Sequence, residues 1–285
     1  MPSAASRTAI TATILASYWS MMARVRDSWD RRILRAEQLA ATGGPSAALL
    51  TFYGRLLRSQ KEVYDTFHRR PPSGSLERDL PLVMERGSAL LHEVAHHGPD
   101  RLVGEARTLL EMTNSAISNQ LLTYWSAPSD RQFFPKAILQ PYAQWLVDAG
   151  VTPSGHVPAQ AANRCPRCGG APQLSILESA AASAEGSSSS RLLLCATCLT
   201  PWPFRRVFCP HCGEADERRL GYFQSPAFEH LRVDACESCH RYLKSVDLGK
   251  LGLAVPLVDE VAGAPLDLWA REHGYEKIEL NLVGL

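Results

Sequence analysis

All eight cysteines of this 285-residue chain fall into C-x-x-C pairs: Cys165/Cys168, Cys195/Cys198, Cys209/Cys212 and Cys236/Cys239. Two intervening residues let one tight turn aim both sulfurs at a single ion, and two such turns complete a tetrahedron of thiolates. Four pairs with no cysteine left over form the pattern of two tetrathiolate metal sites. In Cys165-Pro166-Arg167-Cys168-Gly169 and Cys209-Pro210-His211-Cys212-Gly213, proline pre-sets the turn and glycine accepts the positive φ after it. The backbone N–H groups of such turns are expected to point at the sulfurs. The gaps set the pairing: 26 residues separate Cys168 from Cys195, 23 separate Cys212 from Cys236, and only ten lie between Cys198 and Cys209. Each long gap holds two strand-like runs, enough for a hairpin. Site one is therefore assigned to Cys165, Cys168, Cys195 and Cys198, and site two to Cys209, Cys212, Cys236 and Cys239. The rival, a cross-braced pairing of the first knuckle with the third, needs more long crossovers. Thiolates accept zinc and iron alike, so the expected cofactors are two metal ions per chain, iron or zinc. A structural site of this kind supplies on the order of 10 kcal/mol of folding free energy.

Other chemistry has weaker support. His92-Glu93-Val94-Ala95-His96 spells the H-E-x-x-H of zinc proteases, with two imidazoles on one helical face and a glutamate base. No third ligand follows at a recognisable spacing, and His97-Gly98-Pro99 ends the helix at once. A thioredoxin-like dithiol would sit in a βαβ unit, and none surrounds these cysteines. The chain carries 30 Lys+Arg against 29 Asp+Glu, which removes the basic surplus that marks a simple nucleic-acid binder. No run reaches the ~18 consecutive apolar residues of a membrane span. Thr8 to Met22 is uncharged behind Arg7 and has the outline of a weak signal peptide, but the cysteine spacing suits metal knuckles better than exported disulfides. The expectation is a cytoplasmic chain with no membrane span and no nucleic-acid partner.

Helical periodicity fills the first 150 residues. Trp29, Ile33, Ala36 and Ala40 share one face, Thr42 to Ser46 breaks that helix, and Ser46 is placed to cap the next. The second carries Leu49, Phe52, Leu56, Val63 and Phe67 and stops at Pro71-Pro72. A third is expected near Leu82 to Ala95, one long element or two over Arg101 to Trp125, a loop over Asp130 to Pro135, and a last helix over Ala137 to Ala149. Short strand-like runs follow at Leu174–Leu177, Arg191–Leu194, Phe204–Phe208, Leu220–Phe223, Leu231–Val233 and Tyr242–Val246, interrupted by a serine-rich insertion over 178–190. A helix around Leu266 to Ala270 ends at Gly274. The fold class is an α+β multidomain chain: an N-terminal helical bundle over 1–150, a linker over 151–162, two zinc-ribbon β modules over 163–206 and 207–250, and a short C-terminal helix and tail over 251–285.

The knuckles and their flanks carry a resemblance. The segments Cys165-Pro-Arg-Cys168-Gly-Gly-Ala-Pro172, Cys195-Ala-Thr-Cys198-Leu-Thr-Pro-Trp202, Arg206-Val-Phe-Cys209-Pro-His-Cys212 and Cys236-Glu-Ser-Cys239-His-Arg-Tyr242-Leu-Lys244 resemble the formate dehydrogenase accessory protein family, FdhE. Asp259-Glu260, Leu266-Asp-Leu-Trp269 and Gly274-Tyr275 extend the likeness. It implies a non-enzymatic maturation factor with two rubredoxin-like metal modules that binds the formate dehydrogenase catalytic subunit in the cytoplasm. Arg206, Trp202 and Tyr242 are then candidates for client contact, with packing around the knuckles favoured for Trp202 and Tyr242. The client is expected in a concave junction between the helical domain and the first module. The alternatives are a rubredoxin-like electron carrier and a zinc-ribbon nucleic-acid-binding protein.

Overall fold

Ser28 opens the first helix by accepting the N–H of Arg31 at 3.2 Å, in a computed structural model that describes residues 28–67, 70–154, 161–178 and 190–285. The apolar stretch Thr8 to Met22, residues 155–160 of the expected linker and residues 179–189 of the insertion lie outside the described residues. Among the described residues six helices come first: α1 (Trp29–Ala41), α2 (Ala47–Thr66), α3 (Leu76–His97), α4 (Asp100–Glu111), α5 (Asn114–Ser126) and α6 (Phe133–Asp148). The apolar faces read from the sequence point inward, with Ala36, Leu56, Val63 and Phe67 buried completely.

The differences from expectation have local causes. Ser46 precedes α2 but caps nothing; its hydroxyl donates instead to the carbonyl of Ala262 at 2.8 Å. α3 starts six residues early because Asp79 turns inward, accepting from the Ser73 N–H at 3.0 Å and the Tyr142 hydroxyl at 3.2 Å. The stretch 101–125 is two helices, divided where Thr113 caps the second by accepting from Ala116 N–H at 3.3 Å. α6 begins at Phe133 rather than after Pro135, since proline is tolerated in a helix's first turn.

The second half is one sheet. β1 (Pro172–Glu178), β2 (Ser190–Cys195), β3 (Pro201–Phe204), β4 (Leu220–Gln224), β5 (Leu231–Cys236) and β6 (Arg241–Asp247) lie in the order β3-β2-β1-β6-β5-β4. Strands β1–β3 form one antiparallel half and β4–β6 the other, and parallel pairing of β1 with β6, from Leu174 opposite Lys244 to Leu177 opposite Asp247, fuses them. The strand expected over Phe204–Phe208 is earlier, at Pro201–Phe204. β3 is an edge strand, the position where Pro201 and Pro203 do least harm to the ladder.

The C-terminal part is more than one helix. α7 (Pro256–Ala262) and α8 (Ala264–Glu272) precede β7 (Glu276–Lys277), which pairs with β6. Between them lies a fully buried ionic cluster. The Lys244 ammonium contacts Asp267 and lies 3.1 Å from Glu260, and that of Lys277 contacts Glu260 and lies 3.4 Å from Asp267. Tyr242 donates to Asp267 at 2.8 Å, and Asn281 donates to Glu260 at 2.8 Å. Burial opposes the charge on Asp267, but the ammoniums of Lys244 and Lys277 outweigh it and hold the carboxyl below its ordinary range. Burial, helped by the neighbouring Lys244 ammonium, pulls Lys277 down despite Glu260 and Asp267.

The junction between bundle and first module is filled. One hydrophobic core runs from Leu56, Phe67 and Trp145 through Cys165, Leu193, Cys195 and Trp202 to Val258. Arg167 of the first knuckle donates to the carbonyls of Leu146 and Val151, both at 3.0 Å, fastening it to the end of α6. Among the described residues the cavity left there, beside Cys198 and Leu199, holds about 20 Å³.

Removing one charge from the buried cluster leaves its partners desolvated and unmatched. Lys244→Met is expected to destabilise the metal-loaded protein by about 3 kcal/mol, seen as a lowered thermal midpoint. An unchanged midpoint would contradict the assigned pairing.

Candidate metal centres

Each knuckle repeats one local design. The N–H of the first cysteine bonds the carbonyl five residues on: Cys165 to Gly170 at 2.9 Å, Cys195 to Thr200 at 3.1 Å and Cys209 to Glu214 at 2.8 Å, while Cys236 faces Arg241 in the β5–β6 ladder. The residue after the second cysteine is left-handed in all four: Gly169 (φ 71°), Leu199 (φ 55°), Gly213 (φ 82°) and His240 (φ 52°). Backbone N–H groups reach sulfur in all four, with that of Cys168 on Cys165 and that of Arg241 on Cys239. Thr197 and Cys198 N–H lie 3.4 and 3.5 Å from the Cys195 Sγ, and His211 N–H lies 3.4 Å from the Cys209 Sγ.

The sulfurs gather in consecutive pairs of knuckles. Cys165, Cys168, Cys195 and Cys198 form one quartet, and Cys209, Cys212, Cys236 and Cys239 the other, with the ligand atoms of each within 4.8 Å of one another. In the first, Cys165–Cys198, Cys168–Cys195 and Cys168–Cys198 are 3.6, 3.4 and 3.4 Å apart. In the second, Cys209–Cys239 and Cys212–Cys236 are 3.8 and 3.7 Å apart. A tetrahedron with metal–sulfur bonds of ~2.3 Å has edges of about 3.8 Å, whereas a disulfide needs sulfurs ~2.05 Å apart. Both quartets fit a metal, and neither is a pair of disulfides.

Thiols this close do not share one ionisation state. Hydrogen bonds from Cys168, Cys195 and Cys198 pull the Cys165 thiol down, while burial pushes Cys195 up. Only a cation can hold four thiolates together. The two centres differ in exposure. The first is buried at all four sulfurs within the common core. In the second, Cys209 and Cys236 are buried, Cys239 is half-buried and Cys212 is exposed.

Gly170 was not among the residues singled out by spacing. A Cβ there would lie 2.9 Å from the Cys195 Sγ and 3.3 Å from the Cys168 Sγ. The Gly169-Gly170 doublet was the available signal. Of the three flanking candidates, Trp202 is buried with its Nε1 donating to the Ala162 carbonyl at 3.0 Å, and Tyr242 is buried on Asp267. Arg206 is exposed and lines a cavity beside the second quartet. The His92-Glu93-His96 triplet is not drawn into a site: Glu93 faces Arg55 at 3.5 Å and His97 at 3.1 Å, and His96 Nδ1 is 2.7 Å from the His92 carbonyl oxygen. Among the described residues the two cysteine quartets are the groups able to hold a metal ion.

The chain is similar to known proteins. Residues 207–283 match the family model "FdhE, C-terminal domain". A "Protein FdhE homolog" of Aquifex aeolicus (strain VF5) is 38% identical over 122 residues, 43% of this chain and 42% of its own length, so the match spans less than half of that relative. A "Protein FdhE homolog" of Pseudomonas putida is 27% identical over 288 aligned positions, 90% of this chain and 86% of its own length. The crystal structure of the FdhE protein from Pseudomonas aeruginosa superimposes with a TM-score of 0.64 at 25% identity, covering 90% of this chain and 96% of that one.

Two outcomes follow from the geometry. Gly170→Ala is expected to lose one metal equivalent and keep the other, read by metal analysis. Loss of both, or of neither, would contradict independent quartets. A chelator added to the loaded protein should strip the second centre first, through its exposed Cys212. Alkylation of the released thiols, mapped by mass spectrometry, should label Cys212 and Cys239 before any cysteine of the first quartet.

Proposed function

We propose that this chain, whose resemblance to the FdhE family holds in both sequence and fold, is a metal-binding accessory protein for the maturation of formate dehydrogenase. The observation that carries the reading is the likeness to FdhE over nine-tenths of the chain, joined to two quartets with the dimensions of tetrathiolate sites. In this reading the chain has no catalytic activity of its own. Cys165, Cys168, Cys195 and Cys198 hold one iron or zinc ion, and Cys209, Cys212, Cys236 and Cys239 hold a second. When bound, each ion supplies charge compensation and folding energy.

The two centres divide the work. The first, sealed in the same core as Trp29, Phe67 and Trp145 of the helical bundle, is structural. The second, within 207–250, carries its ligands to the surface and is the part a client reaches. The client is the catalytic subunit of formate dehydrogenase, met in the cytoplasm. No helix among the described residues is long and apolar enough to cross a membrane. Arg206, exposed beside the second quartet, is a client contact in this reading.

A second reading has one observation in its favour. Cys212 is exposed, so an iron ion in the second quartet would have a short path for electrons to the surface, as a rubredoxin-like carrier requires. Protein purified without oxygen separates the two. A reversible ferric/ferrous couple that exchanges electrons with a soluble donor supports the carrier, and zinc in both sites excludes it.

Deleting the gene is expected to abolish formate dehydrogenase activity without lowering the enzyme's transcript, and the tagged chain should co-purify with the catalytic subunit. Normal activity in the deletion strain, with no second copy of the factor, defeats the assignment.

A further inference from the structure

A cavity of about 220 Å³ opens on the sheet beside Cys209 and Cys236, and four arginines line it: Arg191, Arg206, Arg232 and Arg241. They come from separate parts of the chain: β2, the loop after β3, β5 and β6. Against them stands one lining carboxylate, Asp234. That carboxylate is already shared, accepting from Arg191 Nη2 at 3.2 Å, pairing with Arg232 Nε at 2.7 Å and taking the Ser245 hydroxyl. The walls therefore carry a formal surplus of three positive charges. Glu276, paired with Arg241 at 2.9 Å, and a divalent ion on the four thiolates of the second quartet would together offset that surplus, so what the walls offer an anion is their directed N–H donors rather than net charge.

The hydrogen bonds of Arg191 and Arg241 run to oxygens, although the Cys209 sulfur favours the Arg191 charge through space. Arg191 donates to the carbonyls of Arg206 and Phe208 at 3.1 and 3.3 Å, and Arg241 pairs with Glu276 at 2.9 Å and donates to the Lys277 carbonyl at 3.3 Å. None of the hydrogen bonds of Arg191, Arg232 and Arg241 goes to a sulfur. Arg191 is buried, and its Nε has no hydrogen-bond partner. Burying a guanidinium with a donor unmet is costly unless something else answers it. At the lip, Tyr222 is 63% exposed, its ring under the Arg232 guanidinium at 5.1 Å, and Val207 is 45% exposed beside it.

Planar guanidinium forks on several walls suit an anion with oxygens pointing in several directions. A phosphoryl group has three terminal oxygens and carries up to two charges; a carboxylate has two coplanar oxygens and one charge. The exposed Tyr222 and Val207 offer contact to an organic neck. The cavity lies below the ~300 Å³ at which pockets for drug-sized ligands begin, so the ligand is small. We propose that this cavity is a binding site for a phosphate monoester bearing a small apolar or planar group. The inference does not depend on the formate dehydrogenase reading.

The test uses the full chain with both metals loaded, titrated calorimetrically at fixed ionic strength with phenyl phosphate, benzoate and a phosphoserine pentapeptide. Phenyl phosphate should bind saturably with one equivalent per chain and more tightly than benzoate. Arg232→Gln and Arg206→Gln should each weaken it roughly tenfold or more, with metal content unchanged. Arg218→Gln makes the same charge change at an exposed residue paired with Asp216 outside the cavity, and should leave binding within twofold. A pentapeptide tighter than phenyl phosphate assigns the phosphate to a partner's side chain, and a weaker one to a free metabolite; both support the site. Benzoate binding as tightly as phenyl phosphate, an equal loss in all three variants, or no saturable binding would overturn it.

Discussion

Two adjacent carboxylates on one short helix fasten the chain to itself. On α7, Asp259 faces the bundle and Glu260 faces the sheet. Asp259 accepts from Nε and Nη2 of Arg35 in α1, at 3.0 and 2.5 Å, and lies 2.9 Å from the His230 imidazole. Its other duty is local, accepting the Val255 N–H at 2.7 Å to start its own helix. Glu260 takes Lys277 from β7, Lys244 from β6 and Asn281 from the tail. A network of this kind loses in desolvation about what it gains in Coulomb energy. What it fixes is geometry. With four charges buried and each needing a partner, α7 and α8 have one register on the sheet, and the first helix has one register on α7.

That constraint explains why the two metal centres, built from the same knuckle, sit in different surroundings. The parallel β1–β6 pairing makes the halves of the sheet continuous, yet the bundle and α7 press on them unequally. The first quartet shares its core with Phe67, Trp145 and Val258. The second is reached from the sheet's far end, where β4 is an edge strand with Tyr222 and Phe223 at its surface. Ions bound in identical shells would therefore differ in access to solvent, and so in exchange and in any redox chemistry, through packing alone.

The cysteine chemistry was legible because ligand geometry is local. A two-residue gap, a glycine after the knuckle and the length of the intervening hairpin are written in adjacent residues, and they sufficed to pair the knuckles in order. The helices were legible where an apolar stripe was unbroken, as along Leu56, Val63 and Phe67. The start of α3 was not, because its first turn is anchored by a buried aspartate that reads in sequence as a solvated charge. The same disguise hid the ionic cluster. Lys244, Glu260 and Asp267 stood in the segments that resemble FdhE, but nothing in their spacing says that they meet one another and Lys277. Nor could the sequence show that Arg191, Arg206, Arg232 and Arg241 converge, since 50 positions separate the first from the last and nearby acids mask them in any local count.

The knuckles also carry backbone strain that a bound ion would offset. Glycine occupies the left-handed position in the first and third, but Leu199 and His240 hold it in the second and fourth. A side chain there costs of order 1–3 kcal/mol of backbone strain, more than most surface contacts return. The conformation persists because other forces determine it. The Cys195 N–H bonds the Thr200 carbonyl around Leu199, and the His240 N–H bonds the Cys236 carbonyl at 2.9 Å. An ion closing each quartet adds on the order of 10 kcal/mol, which exceeds the strain several-fold. The two positions are thereby free to serve other contacts. Leu199 joins the apolar cluster of Leu174, Ile176 and Leu257, and the His240 ring lies 6.2 Å from that of Tyr275, whose hydroxyl bonds Glu237 within the fourth knuckle. Strain at the metal loops is thus exchanged for packing that ties each loop to the helices or tail behind it.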